Sequence, residues 1–278
     1  MATAQEDSPQ RGSTLDVSLR SGGLERDYRL YIPASYDPQT PTPLVVMLHG
    51  LTSNITDIEY YTEISQKADQ AGFIVAYPQS LGGPAAIWIT TPGLFLLSPD
   101  LTFIEAMLEE IRATYTLDPA RLYVLGYSNG AAMAHLMACE LSEQVAAIGT
   151  VGGTYWMWQE PCNPTRGIPV MTFHAIPDPT VPYDGIPFVF ESAPSWVLDW
   201  VARNDCAPDA IVSDPQPDMA GQTWAECRDG AEVIFYSLNR RTHNWPGGNS
   251  LFEESVPFED IQANDYFWEF FMQHPLPQ

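Results

Sequence analysis

The chain has 278 residues, 45% of them hydrophobic, enough for one α/β domain with a large core. Thirty-five acids against twelve bases leave a formal net charge of −23, with Lys67 the only lysine, and phosphate binding needs clustered positive charge, so nucleic acid is not an expected partner. No run approaches the roughly 18 consecutive apolar residues of a membrane span, and no membrane partner is expected either.

The first 13 residues are polar, lack the basic-then-apolar pattern of a signal peptide, and are expected to be a flexible segment ahead of a single domain over 14–278. Ala2-Thr3-Ala4 does fit a small-x-small cleavage box. Apolar runs rich in β-branched residues then alternate with amphipathic stretches. Strands are expected at 28–32, 44–48, 73–77, 122–125, 146–151, 170–173 and 232–238, and helices at 60–71, 100–115, 131–141, 194–203 and 265–273. Pro119 reads as a loop after the second helix. Several strands are apolar on both faces, as buried parallel strands are, so the fold class is α/β with a mostly parallel sheet flanked by helices. The Pro-rich stretches 82–99, 155–169 and 208–221 read as irregular insertions shaping a cleft at one end of the sheet.

Four cysteines fall into two nearby pairs, Cys139 with Cys162 and Cys206 with Cys227, without the Cys-x-x-Cys spacing of a metal or redox site. Two disulfides are expected, each closing a loop of about 22 residues and worth roughly 3 kcal/mol by loop-closure entropy. They imply an oxidising compartment, extracellular or periplasmic. Neither a metal nor a cofactor is expected.

Gly126-Tyr127-Ser128-Asn129-Gly130 follows an expected strand and opens an expected helix. At such a turn the serine hydroxyl is lifted above the sheet edge and the flanking glycines admit neighbouring backbone. A serine hydroxyl needs an adjacent base. Of the five histidines, His243 alone lies in a loop after the last strand; His49 and His174 end strands, His135 lies within a helix, and His274 follows the last helix. The acid must come between Ser128 and His243, near the end of a strand. Asp178 lies directly beyond the strand ending near Phe173 and is preferred to Asp184, whose Pro182-Tyr183-Asp184-Gly185 setting also reads as a turn. For the developing oxyanion the expected donors are the backbone N–H groups of Asn129 and Leu51, with His49 bracing the Leu51 loop. Trp88, in an insertion, and Trp245, two residues after His243, are expected to line an acyl pocket, and Trp156 and Trp158 also follow a strand end.

With these residues in place, the sequence resembles the secreted serine esterases grouped with polyhydroxybutyrate depolymerases and bacterial feruloyl esterases, of the α/β-hydrolase superfamily. The likeness runs from Tyr28 to Phe271 through Leu48-His49-Gly50, Gly72 to Pro78, Gly126 to Gly130, Asp178 to Tyr183, Asn204-Asp205-Cys206 and His243-Asn244-Trp245-Pro246-Gly247. It implies an acyl-enzyme mechanism with Ser128 as nucleophile, His243 as base and Asp178 as its orienting acid, and counterparts for both cysteine pairs. Departures stand at His174-Ala175-Ile176-Pro177 and Arg240-Arg241-Thr242, where family members carry glycines; the arginines would favour anionic substrates. The expected partner is an ester, possibly polymeric, with hydroxycinnamoyl esters ranked first, polyhydroxyalkanoate or synthetic aromatic polyester second, and acetylated xylan third. Extracellular depolymerases of the group often append a polymer-binding domain, for which 278 residues leave no space. The alternatives are a peptidase using the same triad and a non-catalytic polysaccharide- or polyester-binding protein.

Overall fold

A computed structural model describes residues 12–81, 86–90, 98–157, 162–213, 217–250, 258 and 260–277. The expected flexible segment therefore lies outside the described residues up to position 11, and its last residue, Ser13, already opens a strand. Ala2-Thr3-Ala4, Trp158 and parts of all three Pro-rich stretches also lie outside them.

The described residues form ten strands and six α-helices: β1 Ser13–Ser21, β2 Leu24–Ile32, β3 Thr42–Leu48, α1 Ile55–Thr62, α2 Ile64–Ala71, β4 Ile74–Pro78, α3 Pro99–Thr114, β5 Leu117–Tyr127, α4 Asn129–Glu140, β6 Ala147–Val151, β7 Val170–Ala175, α5 Ala193–Arg203, β8 Ile211–Val212, β9 Met219–Trp224, β10 Val233–Leu238 and α6 Ala263–Gln273. They build one sheet in the order β1-β2-β4-β3-β5-β6-β7-β10-β9-β8. From β4 through β10 neighbouring strands run parallel, while β1, β2, β8 and β9 join antiparallel at the two edges. This is the expected α/β class.

The period-two alternation of side chains divides the core between the two sheet faces. Along β3, Leu44, Val46 and Leu48 enter one core with α3, α4 and α5, whereas Val45 and Met47 enter the other with α1, α2 and α6. Both faces of β3 are therefore buried, as its unbroken apolar run requires.

The structure corrects four local expectations. The helix expected over 60–71 is two, broken where Glu63 takes a left-handed φ of 53°. Pro119 lies inside β5 and not in a loop: pairing with β3 shifts register between Thr42↔Leu117 and Leu44↔Leu122, and the proline occupies that irregularity, where no ladder N–H is needed. The stretch 208–221 contributes strands β8 and β9 at the sheet edge. Strand β1, absent from the expected set, buries only alternate residues and so carries little apolar signal.

Both disulfides join the expected partners, Cys139 to Cys162 and Cys206 to Cys227. The first ties α4 to the segment that follows β6. Its neighbour His135, with Nε2 3.6 Å from Cys139 Sγ, completes the cluster with metal-ligand spacing among the described residues. With both sulfurs bridged that cluster offers no thiolate, and a thiolate is the form in which cysteine ligates a metal.

Candidate active site

Strands β5, β6, β7 and β10 end on the same edge of the sheet, and the loops beyond them carry Ser128, Gly152, Asp178 and His243. Ser128 connects β5 to α4 with φ 53° and ψ −117°, a conformation that costs an L-residue energy and persists because its surroundings fix it. Its N–H donates to Val151 O at 2.9 Å and its carbonyl accepts from Thr154 N–H at 3.2 Å. The turn has no space for side chains at its flanks. A Cβ on Gly126 would stand 2.5 Å from Gly130 O, and one on Gly130 would stand 2.3 Å from Leu48 O.

His243 Nε2 is 3.0 Å from Ser128 Oγ, and His243 Nδ1 is 2.7 Å from Asp178 Oδ2. The carboxylate only accepts, so Nδ1 carries the proton and Nε2 is left to accept from the serine hydroxyl. Asp178 Oδ1 accepts from the Thr180 and Val181 N–H groups, each at 2.8 Å, which fixes the carboxylate plane. All three side chains are buried, each less than a tenth exposed. Such an arrangement lets a serine lose its proton as it attacks a carbonyl. Asp184 makes no contact of this kind.

The loop holding His243 is braced from below. Tyr127 Oη donates to His243 O at 2.7 Å, and Tyr61 Oη accepts from Trp245 N–H at 2.7 Å while lying 3.2 Å from that same His243 carbonyl. Tyr127 precedes Ser128 in the chain, so the serine turn and the backbone of His243 are pinned together. Sequence reasoning missed Tyr61 and Gly152. Gly152, at φ 56°, faces the imidazole so closely that a Cβ there would lie 2.9 Å from His243 Cε1. Its position right after a strand on the site's edge was the available signal.

Opposite the serine runs the loop His49-Gly50-Leu51-Thr52. His49 is fully buried and braces it as expected: Nδ1 donates to Gly50 O at 2.7 Å while Nε2 accepts from Ser80 N–H at 3.1 Å. Burial pushes its pKa down to about 4, so the ring is neutral. Thr52, at φ 59°, spends its N–H on Ala86 O at 2.8 Å, while Leu51 and Asn129 both line the cleft above Ser128. Asn129 is the first residue of α4, where an N–H has no partner within the helix.

The cleft has a volume of about 430 Å³, and its walls include Leu51, Thr154, Trp156, Val181 and Phe190 beside Ser128 and His243. Trp156 and Phe190 pack at 4.6 Å between ring centroids. The expectation for Trp88 and Trp245 is corrected here: both are buried, 1% and 0% exposed, and neither lines the cleft. Trp245 packs on Phe267 and donates from Nε1 to Asn264 Oδ1 at 2.9 Å, while Trp88 donates from Nε1 to His49 O at 2.8 Å. Indole N–H groups need partners when buried, and here the partners are core groups. Arg240 pairs with Asp218 and Asp260, so it adds little positive field near His243; Arg241 is exposed. A larger hollow, about 510 Å³, is lined by residues such as Asp118, Arg166 and Asp229 at the opposite end of the parallel strands. The cleft beside Ser128 and His243 instead lies at the carboxyl ends, where open α/β sheets bind ligands.

Comparison with known proteins finds esterases. Feruloyl esterase C of Emericella nidulans is 26% identical over 256 residues, 89% of this chain and 84% of the relative. Feruloyl esterase B of Piromyces equi is 23% identical over 76% of this chain, which spans only 41% of that protein. The structure of an acetyl xylan esterase from Aspergillus awamori superposes with a TM-score of 0.70 at 17% identity, covering 94% of this chain and 99% of the other, a likeness of fold. The family described as esterase PHB depolymerase matches residues 26–184, more than half of the chain and inclusive of Ser128 and Asp178, and the chain belongs to that family of α/β-hydrolase esterases.

Proposed function

We propose that this protein is a serine carboxylic ester hydrolase in which residues 14–278 form one catalytic domain, acting on hydroxycinnamoyl esters of the feruloyl type. The observation that carries the reading is the single file Asp178–His243–Ser128, at 2.7 Å and 3.0 Å, at the floor of an open cleft. Ser128 Oγ attacks the ester carbonyl while its proton passes to His243 Nε2, and Asp178 stabilises the resulting imidazolium. The N–H groups of Asn129 and Leu51 receive the oxyanion, at a helix start that favours negative charge. His243 then protonates the departing alcohol, and water repeats the sequence in reverse to free the acid.

An aromatic acyl group is supported by Trp156 and Phe190, which replace Trp88 and Trp245 as the aromatic wall. Stacking of this kind adds about 0.5–1.5 kcal/mol beyond burial, or roughly 2- to 10-fold in kcat/KM. Feruloyl esterases among the relatives favour the same substrate class, while the acetyl xylan esterase likeness keeps small acyl groups as the second reading. The two disulfides fit export to an oxidising compartment, and the excess of acid over base fits neither nucleic acid nor an anionic membrane as partner.

A panel of methyl ferulate, methyl p-coumarate, hydroxybutyrate oligomers and acetylated xylan, assayed with purified protein, tests the reading. The hydroxycinnamates should have the highest kcat/KM, and Trp156→Ala should lower it more for them than for an aliphatic methyl ester. Preference for the hydroxybutyrate oligomers or for acetylated xylan would replace the substrate, and inertness toward every ester would overturn the enzyme.

A further inference from the structure

The oxyanion donors assigned above sit on two separate pieces of chain, the loop after β3 and the first turn of α4. Among the described residues, no hydrogen bond joins one piece directly to the other. A third segment, 86–90, lies across both.

Three hydrogen bonds tie this segment to those two pieces of chain. Ala86 O accepts from Thr52 N–H at 2.8 Å, Trp88 N–H donates to Asn129 Oδ1 at 2.8 Å, and Trp88 Nε1–H donates to His49 O at 2.8 Å. Two of the three therefore come from one residue, and they end on opposite walls of the oxyanion site. The Asn129 amide has no competing partner among the described residues, because its buried Nδ2 makes no hydrogen bond. The indole also stands 4.9 Å from the His49 imidazole, centroid to centroid, and is 1% exposed.

The segment is itself anchored. Ile89 N–H donates to Asp100 Oδ2 at 2.9 Å and Ile89 O accepts from Ser98 Oγ–H at 2.5 Å. Asp100 is fully buried, and its other oxygen takes the Leu81 N–H at 2.9 Å and the Arg26 guanidinium at 2.5 Å. Arg26 completes its own set on Gln79 O and Pro99 O. A buried ion pair with its remaining hydrogen bonds satisfied makes a rigid support.

We infer that Trp88 is a positioning residue which sets the gap between the Leu51 and Asn129 N–H groups, through its backbone N–H on Asn129 and its indole N–H on His49. The inference rests on the serine esterase reading above. Its physical basis is that oxyanion donors work only when preorganised 2.7–3.1 Å from where the charge develops, and a donor pair on two unlinked loops is not preorganised. The indole bond acts on the transition state: the neutral ester tolerates a wider gap, whereas the tetrahedral oxyanion does not.

Trp88→Phe tests this, since it keeps a buried aromatic ring and deletes the indole N–H that reaches His49 O. An oxyanion donor is worth about 10²- to 10³-fold, and a donor displaced but still present should forfeit part of that. On methyl ferulate, kcat should fall roughly 10- to 100-fold with KM within about threefold, the pattern of an interaction made in the transition state. An aryl trifluoromethyl ketone reports the same geometry. Ser128 Oγ bonds to its carbonyl carbon, the π pair moves to oxygen, and the hydroxyl proton passes to His243, so its Ki should rise by the factor lost from kcat/KM. Should Trp88→Phe fold poorly, β-(3-benzothienyl)alanine at position 88 keeps the bicyclic shape and lacks only the N–H, and the same losses are expected. A kcat within threefold of wild type, or equal losses in KM and ketone Ki with only the melting temperature lowered, would reduce Trp88 to packing. A wild-type protein that neither cleaves the esters nor binds the ketone would overturn the esterase reading and this inference with it, a result distinct from an active wild type with an unaffected variant.

Discussion

Gly152→Ala is the most demanding single-atom perturbation of the site, because it adds one methyl group beside the imidazole and replaces none of Ser128, His243 and Asp178. Two costs follow from the structure. Gly152 has φ 56°, and an alanine there pays about 1–2 kcal/mol for a left-handed backbone. The new Cβ also lies 2.9 Å from both His243 Cε1 and Nδ1 and 3.6 Å from Asp178 Oδ2, so the ring must retreat by roughly half an ångström to reach ordinary contact. It has nowhere neutral to go: Nδ1 is held at 2.7 Å by Asp178, Nε2 at 3.0 Å by Ser128, and the Tyr127 ring lies 5.2 Å away, centroid to centroid. Since a misplacement of about 1 Å costs on the order of 10²-fold, half of that should cost about 10-fold or more in kcat. Steady-state hydrolysis of p-nitrophenyl acetate gives kcat and KM, and a thermal melt gives stability, expected to drop by about 2–8 °C at roughly 2–4 °C per kcal/mol. If kcat stays within threefold while the melt shows the drop, the backbone has absorbed the methyl group and the position of His243 is not set by contact with Gly152.

Two further outcomes are expected. Tyr127→Phe removes the bond to His243 O, worth about 1 kcal/mol, and should lower kcat several-fold with KM unchanged; because Tyr61 reaches the same carbonyl, Tyr61→Phe/Tyr127→Phe should lose more than the product of the single losses, and a double variant with wild-type kcat would show the brace to be idle. For His49 the folded pKa of about 4 lies below its unfolded value near 6.5, so the stability gained by keeping it neutral is fully present above pH 6.5 and is lost as pH falls toward 4. That loss amounts to roughly 3 kcal/mol for this fully buried ring. The stability difference between wild type and His49→Gln should accordingly shrink between pH 7.5 and pH 4 in urea melts, and a difference independent of pH would contradict the neutral, buried ring.

The file of Ser128, His243 and Asp178 was legible in sequence because each member is marked by strong local context. Ser128 sits between two glycines at a strand-to-helix turn, and Asp178 and His243 each follow a strand in the order that this fold requires. The inner strands were legible for a related reason, since burial on both faces leaves an unbroken apolar run, as in β3. What escaped was set by tertiary contact. Strand β1 buries one face only, β9 begins within a Pro-rich stretch, and Pro119 is tolerated within β5 because the register shifts there. Trp88 stands in an insertion and Trp245 two residues after His243, but position along the chain does not say which way a ring turns, and both turn to the core. Gly152 and Tyr61 carry no motif at all; their roles exist only once β6 and α1 are brought against the His243 loop.

The most direct measurement of the central claim is the mass of the covalent intermediate. When the protein is turning over methyl ferulate and is quenched in acid, peptide mapping should find a feruloyl group on the Ser128 peptide, and neither that adduct nor hydrolysis above background should survive in Ser128→Ala with its fold intact. Hydrolysis by Ser128→Ala within tenfold of wild type, or an acyl group on any other residue, would contradict it.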